Sequence, residues 1–128
     1  MKILGIDIGG SGVKGAIVDI DSGELLSQKI RFTTPNKPTP KKIFDGIKSN
    51  ILDELKWDGN VGCGFPGVVK KNKIYSAANI EKKWIGLNLK KKFHKKFNLR
   101  CKAINDADAA GLSEIALNPK VVKSGTVL

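Results

Sequence analysis

The chain has 128 residues, with 23 Lys plus Arg against 12 Asp plus Glu, a net charge of +11, one His and two Cys. That length suits one domain, and 41% hydrophobic content supports a packed core rather than wholesale disorder. Two distant cysteines exclude a disulfide framework, a single histidine argues against zinc, and no apolar run approaches the ~18 residues of a membrane span. The opening MKILGIDIGG lacks a signal peptide's apolar core, so a reduced, soluble, cytoplasmic protein with no membrane partner is expected.

Residues 3–8 form an apolar run ending at Gly9-Gly10, which predicts a buried strand entering a tight turn. Val13 to Ile20 returns to β-type residues and closes at Asp21-Ser22-Gly23. Glu24 to Phe32 is a third strand, with Leu26, Ile30 and Phe32 on one face, so the chain opens with three antiparallel strands. Thr39-Pro40 is a helix start, and Ile43, Ile47, Ile51 and Leu55 carry the apolar stripe to about Lys56, where Asp58-Gly59-Asn60 ends it. Val61 to Cys63 reads as a short strand and Gly64-Phe65-Pro66-Gly67 as a stiff turn. Val68-Val69 and Ile74-Tyr75 pair across Lys70–Lys73, and 76–86 is a loop. Leu89, Phe93 and Phe97 seam a second helix whose other face holds Lys90, Lys91, Lys92, His94, Lys95 and Lys96. A strand over 102–104, a third helix opening at 105–108 and a strand begun at Val127-Leu128 complete the order. The fold class is α/β, a mixed sheet with antiparallel first three strands and packed helices.

The charge is unevenly spread. Residues 70–102 hold twelve basic side chains and one acidic, Glu81, while the rest of the chain is nearly neutral. Such clustering suits an anionic partner, and it also suits a solvated face in a chain where 21 of the 23 basic residues are Lys.

Three constellations can carry chemistry. In Asp7-Ile8-Gly9-Gly10-Ser11-Gly12, glycines admit phosphate oxygens to the backbone amides, Ser11 can donate, and Asp7 can hold magnesium through water. Lys14 adds a point charge. A plain hairpin turn needing positive φ explains the same glycines. In Asn105-Asp106-Ala107-Asp108, Asp106 is placed to act as a general base toward a hydroxyl and Asn105 to bond its neighbours; a helix cap is the simpler reading. Gly64 to Gly67 offers backbone to a sugar-sized pocket, and a tight turn with no ligand explains it equally. Asn79 and Trp84 either touch that sugar or anchor their loop.

Taken in order, Asp7 to Ala16, Gly64 to Gly67, Ala78-Asn79-Ile80 with Trp84-Ile85-Gly86, and Asn105 to Glu114 resemble the sugar kinases of the ROK family, most closely their polyphosphate-dependent glucokinase branch. Ser11-Gly12 in place of Thr-Lys, and Asp108 in place of Asn, point to that branch. The resemblance runs from Ile3 to Leu128. It implies the N-terminal lobe of the actin-like, ribonuclease-H-like kinase architecture over 1–120, with 121–128 beginning a truncated second lobe. It implies a phosphate loop of Asp7, Gly9, Gly10, Ser11, Gly12 and Lys14, with Asp7 as a water-mediated Mg2+ ligand. Asp106 is then the base for the glucose 6-hydroxyl, and Gly64, Phe65, Pro66, Gly67, Asn79 and Asn105 line the sugar site. The expected donor is inorganic polyphosphate or ATP, with Mg2+ as cofactor and a homodimer for the full-length protein. The later sugar-binding and nucleotide-binding elements are not within these 128 residues, so this lobe alone is expected to be inactive and to expose a sticky edge at Val121, Val122, Val127 and Leu128.

Two other classes compete. A resolvase-type nuclease shares the core and an Ile-Leu-Gly-Ile-Asp opening, but needs clustered carboxylates that the middle of the chain lacks. A non-catalytic sugar-sensing module lacks a helix-turn-helix before Ile3. Under the kinase resemblance no nucleic-acid partner is expected, and a linear polyanion becomes the partner for Lys90 to Lys96.

Overall fold

Side chains two apart on a strand share a face, and the register of the sheet shows which face each set takes. The computed structural model describes residues 1–77 and 80–104. In it, β1 (Lys2–Ile8) pairs antiparallel with β2 (Gly12–Asp19), and β2 with β3 (Ile30–Thr33). On its other side β1 runs parallel to β4 (Val61–Gly64), which runs parallel to β7 (Cys101–Ile104). The five-stranded order is β3-β2-β1-β4-β7; β5 (Val69–Lys70) and β6 (Lys73–Ile74) form a separate hairpin. The mixed sheet with an antiparallel opening is as the sequence predicts.

Leu4, Ile6, Ile8, Val13, Val61, Cys63 and Cys101 share one face and join a single core with Ile43, Phe44, Ile47, Leu89 and Phe93. Both long helical segments therefore pack on that face. Gly15 permits the approach, because a Cβ there would stand 2.9 Å from two carbons of Ile51. The opposite face carries Ile3, Gly5 and Asp7 of β1 beside Gly62 and Gly64 of β4.

The first helix starts at α1 (Pro40–Ile47), where the Thr39 hydroxyl accepts from Lys42 N and Pro40 takes the first turn, a cap worth ~1 kcal/mol. It continues through a π-helical turn, Lys48–Leu52, into α2 (Asp53–Leu55). The π turn answers the spacing of the stripe. Isoleucines every four residues run ahead of a 3.6-residue helix by about 40° per step, so three steps carry Leu55 about 120° off the face. A locally wider turn removes part of that drift and leaves Ile43, Ile47 and Ile51 fully buried. Termination comes at Lys56, in the left-handed conformation at φ 51°, two residues before Asp58.

The third strand is shorter than predicted. Leu25 makes one isolated bridge to Val18, but the next ladder position is lost because Ile17 N donates to the Ser27 hydroxyl at 2.9 Å. Leu26 is left exposed instead of sharing a face with Ile30 and Phe32. Where the sequence predicts a loop over 76–86, the described residues include a 3-10 turn, Lys82–Trp84. Helix α3 (Leu89–Phe97) begins at Asn88, whose side chain accepts from Lys91 N, and ends at left-handed Asn98. At the tip of the β5–β6 hairpin, Lys71 and Asn72 both take positive φ, at 50° and 67°. Asn tolerates this readily, whereas Lys71 sits there at a cost of ~1–2 kcal/mol.

Five rings, Phe44, Phe65, Trp84, Phe93 and Phe97, form a connected cluster with centroid separations of 5.0–5.9 Å. This cluster ties α1, α3, the 3-10 turn and the end of β4 into one unit. The helix, strand and hydrophobic edge predicted beyond residue 104 lie outside the described residues.

Candidate functional site

Parallel strands place their carboxyl ends together, and ligand sites of open α/β sheets form at that end. Here β1, β4 and β7 are mutually aligned, with Asp7 in register with Gly64, and Gly64 with Ile104. The loops leaving β1 and β4 at this end are the two glycine motifs.

The first is a tight hairpin. Gly9 N donates to Gly12 O at 3.0 Å, and Gly10 and Ser11 stand exposed at the tip. None of these residues takes positive φ; among the described residues Gly23 and Gly86 are the glycines that do. A left-handed turn therefore does not account for the glycines. Close approach accounts for Gly9, where a Cβ would lie 2.9 Å from the backbone Gly12 O; at Gly12 a Cβ would lie 2.6–2.9 Å from the guanidinium at the flexible end of Arg31. Two of the loop's carbonyls accept bonds from Thr34 and Arg31. Thr34 Oγ1 donates to Gly9 O at 2.7 Å, Thr34 N donates to Ser11 O at 3.3 Å, and Arg31 Nη2 reaches Ser11 O at 3.5 Å. Two cations flank the hairpin, since exposed Lys14 is the cross-strand partner of both Asp7 and Arg31. Arg31 and Thr34 are the residues that the sequence reading missed. The available signal was rarity: Arg31 is one of only two arginines among 23 basic residues.

The second loop is fixed from below. Gly64 ends β4, and the Phe65 side chain points into the core, fully buried against Trp84 at 5.0 Å. Phe65 therefore offers a ligand its backbone alone. Gly67 N donates to Phe65 O at 3.0 Å, and Val68 N to the Ser76 hydroxyl at 2.9 Å. Gly67 can be nothing larger, because a Cβ would fall 2.0 Å from Ser76 O. Trp84 takes the anchoring role of the two open to it. It has no exposed surface, and its Nε1 donates to Pro38 O at 2.7 Å, so it does not stack on a sugar.

Asp7 is half-buried on the sheet face opposite the helices. Beneath it, Cys63 and Cys101 are both buried and unbridged; the Cys101 thiol bonded to Cys63, and then burial, push the Cys63 thiol well above its ordinary value. Among the described residues no group of three or more His, Cys, Asp or Glu is placed to hold a metal. A nuclease's clustered carboxylates are thus not found there. A magnesium ion bound through one carboxylate, waters and substrate phosphates needs no such cluster, and Asp7 fits that mode. Asn79, Asn105, Asp106 and Asp108 lie outside the described residues; Asn105 is next in sequence after Ile104. Among the described residues no helix is long and apolar enough to cross a membrane.

Comparison with known proteins bears on the family and the fold. A polyphosphate/ATP-glucomannokinase from Arthrobacter sp. strain KM superposes with a TM-score of 0.79 at 36% identity, over 88% of this chain and 47% of that one. A ROK family glucokinase from Streptomyces griseus, solved with glucose and AMPPNP, gives 0.74 at 30% identity, over 89% and 36%. The described residues have the fold of a sugar-kinase lobe of the actin-like type. The ROK family profile matches residues 3–124, and the chain belongs to the ROK family. Among sequence relatives, the polyphosphate glucokinase of Mycobacterium tuberculosis is 40% identical over 112 residues, 87% of this chain. The chain spans 42% of that relative's length.

Proposed function

We propose that the chain is the lobe of a glucokinase that grips the reacting ends of both substrates, transferring phosphate from polyphosphate, or ATP, to the 6-hydroxyl of glucose. The observation that carries this is the braced Gly9–Gly12 hairpin, whose Gly9 and Ser11 carbonyls accept from Thr34 and Arg31, at the same sheet end as the rigid Gly64–Gly67 loop. Phosphoryl transfer asks mainly for alignment and charge neutralisation, which such a site supplies.

In this reading the donor's terminal phosphate rests on the Gly9, Gly10, Ser11 and Gly12 backbone beside Lys14. Asp7 would hold Mg2+ through water, and that ion would neutralise charge on the phosphates. The backbone of Gly64 to Gly67 lines the sugar, and Asn79 and Asn105 bond its hydroxyls. Asp106 takes the 6-hydroxyl proton as that oxygen bonds to phosphorus; the bridging P–O bond breaks, and the donor leaves one phosphate shorter.

The activity is proposed for a protein of the relatives' length, and the 128 residues by themselves are expected to give no turnover. The test is glucose-6-phosphate formation by the protein containing this chain, with polyphosphate and with ATP as donors. Asp106→Asn should lower kcat by roughly 10²–10⁴-fold with little change in glucose KM. Absence of glucose phosphorylation with either donor overturns the proposal.

A further inference from the structure

The structure divides the excess charge of residues 70–102 by what each side chain meets. Lys96 is bound to Asp45 at 2.8 Å, Lys92 lies over the Phe44 ring at 6.0 Å, and Lys73 lies over Tyr75 at 5.6 Å. These cations are engaged in the fold. Lys71, Lys90, Lys91, His94 and Arg100 instead line one cleft of about 720 Å³. No acidic residue lines it, and among the described residues none of the five makes an ion pair.

The cleft is built by fixed elements. Asn72 joins the hairpin to both walls, its carbonyl accepting from Leu89 N of α3 and its side chain from Ala103 N of β7, each at 2.8 Å. The left-handed tip holds Lys71 at the rim. Arg100 precedes the first residue of β7, and Ala103 is one residue from its carboxyl end. The cleft thus follows the edge strand toward the end of the sheet that bears both glycine loops, alongside a nine-residue helix ~13 Å long.

We propose that this cleft is an accessory site for inorganic polyphosphate, holding the donor chain at a distance from its reacting end; this rests on the function proposed above. Its cations suit phosphate oxygens spaced along a flexible chain, because lysines act as rotatable point charges. Single-stranded nucleic acid is disfavoured, since no Trp, Tyr or Phe lines the cleft to stack a base. The site is one side of α3 with the hairpin tip and Arg100, rather than the whole run Lys90 to Lys96.

The test uses the kinase that contains this chain. Lys71→Gln, Lys91→Gln and Arg100→Gln are combined and compared with Lys2→Gln, Lys29→Gln and Lys56→Gln, an equal charge loss elsewhere. Thermal melts confirm that both variants are folded. Steady-state kinetics use long-chain polyphosphate, tripolyphosphate and glucose; anisotropy of end-labelled long-chain polyphosphate measures binding directly. The cleft variant should raise long-chain KM and Kd by about tenfold or more and reduce the salt slope of log Kd by roughly 2, with tripolyphosphate KM moved less than twofold. Equal effects in both variants, or an equal loss for tripolyphosphate, overturn the cleft. So does duplex DNA binding as tightly at equal phosphate concentration. A kinase that uses ATP alone overturns the donor assignment, whereas the cleft is judged by the anisotropy.

Discussion

Trp84→Phe separates anchoring from sugar contact. The substitution removes the Nε1–H bond to Pro38 O, worth ~1 kcal/mol, and part of a ring with no exposed surface. An indole buries roughly 40–50 Å² more than a phenyl ring, about 1 kcal/mol at 25 cal/mol per Å², and the void left between Phe44 and Phe65 adds somewhat more. The total is about 2–3 kcal/mol. With a urea slope near 2 kcal/mol/M, the unfolding midpoint should fall by about 1 M, read by far-ultraviolet circular dichroism. Glucose KM, measured where the variant is fully folded, should change less than about threefold. An unchanged midpoint with glucose KM raised tenfold would refute the reasoning, because it would place the indole on the ligand.

Gly67→Ala puts a methyl carbon 2.0 Å from the Ser76 carbonyl oxygen, a backbone atom that cannot swing aside. The strain of about 2–3 kcal/mol should lower the melting temperature by about 10 °C, and an unchanged melt would show that the loop is not clamped on Ser76. Asp45 has its carboxyl held below the ordinary 3.8, first by the Lys96 hydrogen bond and then by Lys41. A lowered folded pKa gives stability that is present above 3.8 and lost as pH falls through the folded value. Asp45→Asn should therefore lower the melting temperature slightly at neutrality, by little because so exposed a pair is screened, converge with the wild type in acid, and so flatten the fall between the two. An acid limb as steep as the wild type's would remove Asp45 from the account.

Patterns with one physical cause were legible. Thr39-Pro40 marks a helix start because both residues suit the unpaired donors there, and Val13 to Ile20 marks a strand because its β-type side chains alternate. The four-residue isoleucine spacing held more than it first yields, since a stripe that strict requires a helix wider than 3.6 residues per turn over part of its length. What stayed hidden depends on contacts between distant residues. Nothing local in Ile30-Arg31-Phe32 shows that the guanidinium reaches the neighbouring strand to lie on Gly12, or that Thr34 holds the Gly9 carbonyl. Trp84 was ambiguous for the same reason, because its partner Pro38 is 46 residues away. Of the candidate site, the two glycine loops could be found as turns, while their bracing could not.

Asn72 has a second consequence. An edge strand with open donors invites another strand, and β7 is the edge of this sheet among the described residues. By taking the Ala103 N–H, Asn72 occupies a hydrogen-bonding position that a second molecule would use. The same residue fixes the hairpin that presents Lys71. Closure of that edge position and the shape of the basic cleft thus depend on one side chain. Replacing Asn72 would open the edge at Ala103 and release the hairpin from both walls together.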